Sequence, residues 1–412
     1  MTTAAPPTLA TGGGPGLRGY FAALGPGLVV MLADTDAGSI LTAAQTGAET
    51  GYALIPFQLA VIPALYVAQE LALRLGLGTG RGMIELIRER FGRRIGFAVA
   101  AVLTASCFGA LVTQLSGMAA VGELVGIPSA ATVATVVLGL SAMALTGSYR
   151  SVERIALMFG AAEFVFFYAG WQAHPDFSRI GADAAAITHA PRFLYLVAAN
   201  LGATIMPWAL FYQQSAACDK GLTRRQLGHA RLDTLFGAIL CQLVTCGVQI
   251  AAAAHGAISD DTVGEFARLF DRALGEGMGA ALFGAGLMGG ALVAAVVVCL
   301  ACAWAVGEAA GRRHSLEQHP REAPWFYGSF VVLLAGAGAF VAAGVDAVRL
   351  AMAVGVLNAL LLPAALLCLF VLARSELDAG LRPSGARGAT TAAIFLLASA
   401  LGFCAAIGGI LG

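Results

Sequence analysis

The chain has 412 residues, of which 58% are hydrophobic and 12% charged, with 24 Lys and Arg balanced by 24 Asp and Glu. A charged share near half the roughly 25% of soluble domains, with a mean hydropathy of +0.81, excludes a soluble globular protein and indicates a polytopic membrane protein. Zero net charge and the lack of a basic tract exclude a nucleic-acid partner and leave the lipid bilayer as the evident one.

Residues 1–20, rich in Pro, Gly and Thr without an apolar core, predict a disordered cytoplasmic tail rather than a signal peptide. Membrane-length apolar windows follow at 24–45, 52–76, 95–122, 129–147, 151–172, 193–216, 230–254, 278–308, 325–344, 346–374 and 388–411. These eleven spans divide into a first five-helix repeat over 21–172 and a second over 173–374, followed by a linker and eleventh helix over 375–412. With the N-terminus inside, 19 of the 24 Lys and Arg fall on inner loops. The expected location is the cell inner membrane, multi-pass, with a cytoplasmic N-terminus. The eight cysteines lie mostly in apolar runs, so Cys299-x-x-Cys302 reads as packing and no disulfide is expected.

The first span carries Gly25-Pro26-Gly27 and then Asp34-Thr35-Asp36-Ala37-Gly38-Ser39. An ionised Asp at mid-bilayer costs roughly 2.5–3.5 kcal/mol, so it needs a compensating partner. Local unwinding at that depth is tolerated only beside protein or a watery cavity. Asp34 lies about 200° from Asp36 on an ideal helix and shares its site only where the helix unwinds. It otherwise pairs with a polar group or takes a proton.

The sixth span carries a second interruption, Gly202-Ala203-Thr204-Ile205-Met206-Pro207-Trp208. Pro207 has no N–H, which frees the carbonyls around Ala203 and Thr204. Interruptions at corresponding positions of two five-helix halves point to a midplane site in an inverted-repeat transporter. Glu70 on span two reads as a gate or interface pair. Glu163 on span five either bonds neighbouring helices or lines a vestibule, and Gln242 and Gln249 on span seven join helices. The outer acidic loop over 256–277 reads as a solvated amphipathic helix or as a gatherer of cations. His189 and His255 read as solvated residues near the outer surface.

Gly25-Pro26-Gly27, Asp36-Ala37-Gly38-Ser39, the stretch Gln45 to Tyr52 and Gly202-Ala203-Thr204-Ile205-Met206-Pro207 together resemble the motifs of the Nramp family of divalent metal transporters. The resemblance implies an all-α membrane protein of about eleven transmembrane helices. These form a 5+5 inverted repeat of the leucine-transporter type plus one extra helix, with helices 1 and 6 broken at mid-membrane. It makes Asp36 the anionic metal ligand, Met206 a thioether ligand and Ala203 a carbonyl ligand, with Ser39 in place of the family's Asn. Asp34, Thr204, Trp208, Gln213 and Asn358 are further candidates, behind the ligands or at a gate.

The departures are specific. Ala37 replaces the family's Pro, Trp208-Ala209 and Gln213 stand where its histidines are expected, and Ala110 and Thr113 align with the acids of its third helix, with Gln114 nearby. The position of a metal-completing Gln on helix ten is Gly355. These losses resemble the Nramp-related branch that transports Mg²⁺ without proton coupling, whereas Met206 favours a softer transition metal. The expectation is alternating-access transport of Mn²⁺ or Fe²⁺, without the family's usual proton coupling. Mg²⁺ transport is the alternative, and a small organic substrate on the same fold a further one. No nucleophile–base pair or H-E-x-x-H motif argues for an enzyme. No cofactor beyond the transported ion and no obligate protein partner is expected.

Overall fold

A computed structural model describes residues 25–145, 149–185, 190–254, 262–344 and 346–411. The expected tail 1–20, residues 255–261 of the acidic loop, His189 and His255 lie outside the described residues.

Eighteen helices are described. The first span is α1 (Pro26–Asp34) and α2 (Ala37–Thr50), and the second is α3 (Ile55–Ala60) and α4 (Ile62–Thr79). A short α5 (Met83–Phe91) leads to α6 (Arg93–Leu124), the third span, and α7 (Ser129–Ala144), the fourth. The fifth runs through α8 (Tyr149–Gly160), a 3₁₀ turn (Ala161–Phe164) and α9 (Val165–Gln172), followed by a connecting α10 (Phe177–Ala185). The sixth is α11 (Pro191–Thr204) and α12 (Pro207–Asp219), and the seventh is α13 (Leu227–Ala254). After a loop helix α14 (Val263–Leu274) come α15 (Met278–Ala310), α16 (Pro324–Ala342), α17 (Ala347–Glu376) and α18 (Gly385–Leu411).

Among the described residues eight helices are long and apolar enough to cross a membrane, and counting the bent first span as one makes nine. The remaining two expected spans fall short of that measure for visible reasons. The fourth has only 16 helical residues, and the 3₁₀ turn divides the fifth.

The acidic loop contains an amphipathic helix, α14. Val263, Phe266, Ala267 and Phe270 recur at helical spacing and are buried. Phe270 packs on Phe283 of α15 with ring centroids 4.8 Å apart, and the Thr262 side chain caps the helix by accepting Glu265 N–H at 3.2 Å. The loop is thus anchored to the bundle.

Small residues let the two broken spans approach their neighbours. A Cβ on Gly202 of α11 would strike the Gly355 carbonyl of α17 and come within 2.7 Å of Ala359 N. Nothing flexible is available to give way there. Gly202→Ala is expected to destabilise the protein by about 1–3 kcal/mol through overpacking. Chemical denaturation in detergent measures this, and an unchanged midpoint contradicts it.

Candidate metal site

Two interruptions face each other in the centre of the bundle. α1 ends at Asp34 and α2 begins at Ala37, with their axes bent by 45°. Asp36 is the N-cap of α2, and its Oδ1 accepts Ser39 N–H at 2.7 Å. Aspartate is favoured at an N-cap because its carboxylate satisfies a free N–H and meets the positive end of the helix dipole. Its Oδ2 accepts Gln114 Nε2 of α6 at 2.6 Å, while Gln114 Oε1 accepts Ala37 N–H at 2.9 Å. One amide therefore fixes both the carboxylate and the first N–H of α2.

In the sixth span, Ile205 and Met206 separate α11 from α12, with Met206 in extended backbone geometry. In a continuous helix the Ala203 carbonyl would accept the N–H of residue 207, which is proline. That carbonyl instead lies 3.0 Å from Ser39 Oγ, which is also 2.6 Å from the Asp34 carbonyl. The Ser39 hydroxyl sits between freed carbonyls of both breaks and donates to one of them at a time.

Asp36, Ala203 and Met206 converge on one void of about 10 Å³, whose wall also includes Gln114, Gly355 and Asn358. That is room for about one water-sized sphere. Asn358 is held by Ser106 Oγ at 3.4 Å. Five other expected residues do not line the void, and the first is Ser39, which bridges the two breaks instead. Thr204 Oγ1 accepts Gln58 Nε2 at 3.2 Å, Gln213 donates to Thr234 Oγ1 at 3.2 Å, and Trp208 is buried in the core. The Asp34 carboxyl is also buried elsewhere, with neither oxygen hydrogen-bonded. Among the described residues no group of three or more His, Cys, Asp or Glu gathers as a metal cage. The donors around the void are instead one carboxylate, one thioether, a backbone carbonyl and amides.

The two ends of the bundle differ. A cavity of about 530 Å³, lined by Ser116, Glu123 and Asp346 among others, lies where α6 ends and α17 begins. It comes within about one helical turn of the void, since Ser116 follows Thr113 and Ala351 follows Val348 by three residues. At the opposite, arginine-rich end, polar contacts tie the helices together. Glu70 pairs with Arg74 at 2.6 Å and with Arg231 of α13 at 2.7 Å, which makes it an interface pair. Lys220 pairs with Glu153 at 2.7 Å, and buried Glu308 accepts Ile84 N–H at 3.0 Å and Ser215 Oγ at 2.8 Å. Asp233 of α13 caps the start of α1, accepting N–H groups of Gly25, Gly27 and Leu28 at 3.2, 2.9 and 3.2 Å. The motif reading missed Asp233 and Glu308. Their signal was an acid inside an apolar window, which demands a partner.

The sequence profile described as natural resistance-associated macrophage protein-like, Nramp, matches residues 27–405. The divalent metal cation transporter MntH of Deinococcus radiodurans is 30% identical over 262 residues, covering 60% of this chain and 59% of that protein. The chain thus spans less than two thirds of the length of the curated relatives it matches. A solved structure of the Eremococcus coleocola manganese transporter aligns with a TM-score of 0.79 at 19% identity, covering 97% of this chain and 90% of that one. The structure of MHP1, a nucleobase-cation-symport-1 family transporter, aligns with a TM-score of 0.57 at 13% identity, over 94% and 91% of the two chains.

Proposed function

We infer the function from one premise: the chain belongs to the Nramp family. On that premise it is a divalent metal cation transporter working by alternating access, with Mn²⁺ as its main cargo. The observation that carries this reading is the convergence of Asp36, Met206 and Ala203, from two broken helices, on one ion-sized void. A void of about 10 Å³ suits a single ion and not an organic molecule.

Asp36 supplies the charge, Ala203 a carbonyl freed by Pro207, and Met206 a soft sulfur. Ser39, which does not line the void, holds the two breaks together. The thioether favours Mn²⁺ or Fe²⁺ over Mg²⁺ and Ca²⁺, which prefer oxygen throughout. Ala110 and Thr113 line the void without a titratable group, and Gln213 and Trp208 provide none either. Uptake is therefore expected to proceed without proton movement along the family's usual route. The ion enters through the 530 Å³ cavity while the arginine-rich end is latched, and leaves when that latch opens. The inner membrane, with a cytoplasmic N-terminus, is the location that fits the basic loops.

Mn²⁺ uptake by proteoliposomes, competed with Mg²⁺ and Ca²⁺, tests the reading. Both competitors are expected to be weak against the unmutated protein. In Met206→Ala, competition by Mg²⁺ should strengthen about tenfold, the equivalent of roughly 1.4 kcal/mol of discrimination. Strong Mg²⁺ competition before mutation would favour Mg²⁺ as cargo. A pH-sensitive dye inside the vesicles should stay constant during uptake.

A further inference from the structure

Asp34 and Glu163 take no part in the site above, although Asp34 is 1% exposed and Glu163 fully buried. None of their four carboxyl oxygens has a hydrogen-bond partner within 3.5 Å, and Glu163 and Cys241 approach the Thr35 hydroxyl without closing a bond of that length. Neither acid is in an ion pair among the described residues. The three residues are neighbours. Glu163 lies beside Thr35 and within electrostatic reach of Asp34 and Asp36, and Cys241 of α13 is flanked by Asp34, Thr35 and Glu163. Gly290 of α15 closes the group: a Cβ there would strike the Thr35 carbonyl oxygen and lie 3.4 Å from Glu163 Oε1.

The two aspartates, two residues apart, therefore sit in opposite surroundings. Asp36 begins a helix and receives two donors. Asp34 is the last residue of α1, where the negative end of the helix dipole adds to its own charge. A buried carboxylate without a partner is strongly disfavoured, and a second one beside it is more so. Among the described residues the charged and titratable groups facing the pair are Asp36 and Cys241, with no Lys, Arg or His beside them. The Cys241 sulfur is engaged by Gln242 Nε2 at 3.5 Å.

We propose that Asp34 and Glu163 form a second cation site, distinct from the void at Asp36, that takes a hard divalent cation. Carboxylate oxygens, the Thr35 hydroxyl and the Thr35 carbonyl are the donors such ions prefer. The end of a half-helix, with its freed carbonyls, favours positive charge as well. Two carboxylates without a base match two positive charges, which selects a divalent over a monovalent ion. The site stands independently of Asp36 as cargo ligand.

Equilibrium Mn²⁺ binding to the purified full chain in nanodiscs tests it, with free Mn²⁺ counted by electron paramagnetic resonance. The unmutated protein should bind two Mn²⁺ per chain. Asp36→Ala should bind one, and the double variant Asp34→Asn, Glu163→Gln should also bind one, its remaining site reporting that it is folded. Excess Mg²⁺ should displace one of the two ions from the unmutated protein, and excess Na⁺ neither. A stoichiometry of one in the unmutated protein, or an unchanged stoichiometry in the double variant, overturns the second site and leaves the Asp36 reading untouched. Two ions retained by Asp36→Ala would instead overturn Asp36 as a ligand. Should the double variant fail to fold, Asp34→Asn and Glu163→Gln are each expected to weaken one site at least tenfold, and full affinity in both refutes the proposal.

Discussion

Mn²⁺ uptake is expected to disappear in both Asp36→Ala and Asp36→Asn, but the two variants should differ in stability. Asp36 has two jobs that the structure separates. It caps α2 through Ser39 N–H at 2.7 Å, and it presents the only carboxylate lining the void among the described residues. Asparagine is as good an N-cap as aspartate, whereas alanine loses about 1 kcal/mol there. Asp36→Asn should therefore unfold close to the unmutated midpoint and still carry no metal, while Asp36→Ala should also be less stable. Gln114→Leu supplies a scale for the comparison. It removes the donor at 2.6 Å from Asp36 without removing the charge, and partners behind a metal ligand are typically worth about 10–100-fold in affinity. A loss of uptake in Asp36→Asn no larger than that in Gln114→Leu would show that Asp36 positions the helix and does not bind the ion. The readout is initial Mn²⁺ uptake at saturating and limiting metal, alongside denaturation midpoints.

What the sequence made legible follows from covalent chemistry. Pro207 lacks an N–H, so the carbonyl four residues earlier had to be free, and the structure finds Ala203 O turned towards Ser39. Asp36 before Ala37-Gly38-Ser39 was equally readable as a break with an acid at its edge. The tertiary partners were not readable. Gln114 is 78 residues from Asp36, and an amide in an apolar helix carries no address for the groups it will bond. The 3₁₀ turn holding Glu163 lies in a window without Pro, so the fifth span looked continuous. Thr204, Trp208 and Gln213 flank the sixth break in sequence. Helical geometry turns each residue about 100° from the last, which takes their side chains to α3, the core and α13. Asp34 illustrates the same limit, because nearness in sequence to Asp36 gave no hint that its carboxyl oxygens would be left without partners.

Asp233→Ala should open the arginine-rich end of the bundle. The carboxylate accepts three N–H groups at the start of α1 from a position 208 residues away, so it adds a polar anchor to a half-helix whose Val29 to Ala33 are already buried in the bundle. The chain at Gly25 has φ +137°, a conformation that glycine adopts readily, and this turn aims the amides of Gly25 and Gly27 at the same oxygen. Hydrogen bonds to a charged group contribute about 1.5–3 kcal/mol, and buried donors left without a partner add a desolvation cost. A net loss of about 3 kcal/mol would shift the equilibrium between latched and released α1 roughly 100-fold towards release. Nothing at the void changes directly, so Mn²⁺ affinity in the latched state should stay the same while access from the arginine-rich side rises. Spin labels on exposed positions of α8 and α18, with a third on α1, would report a longer and broader α1 distance distribution in Asp233→Ala. Asp233→Asn keeps an acceptor but not the charge, and should fall between the two. Identical distributions in all three proteins would mean that α1 is held by packing and that the Asp233 cap is not the latch. The Lys220–Glu153 pair beside Gly25 sharpens the expectation. If it is the stronger restraint, Glu153→Gln should release α1 and Asp233→Ala should not.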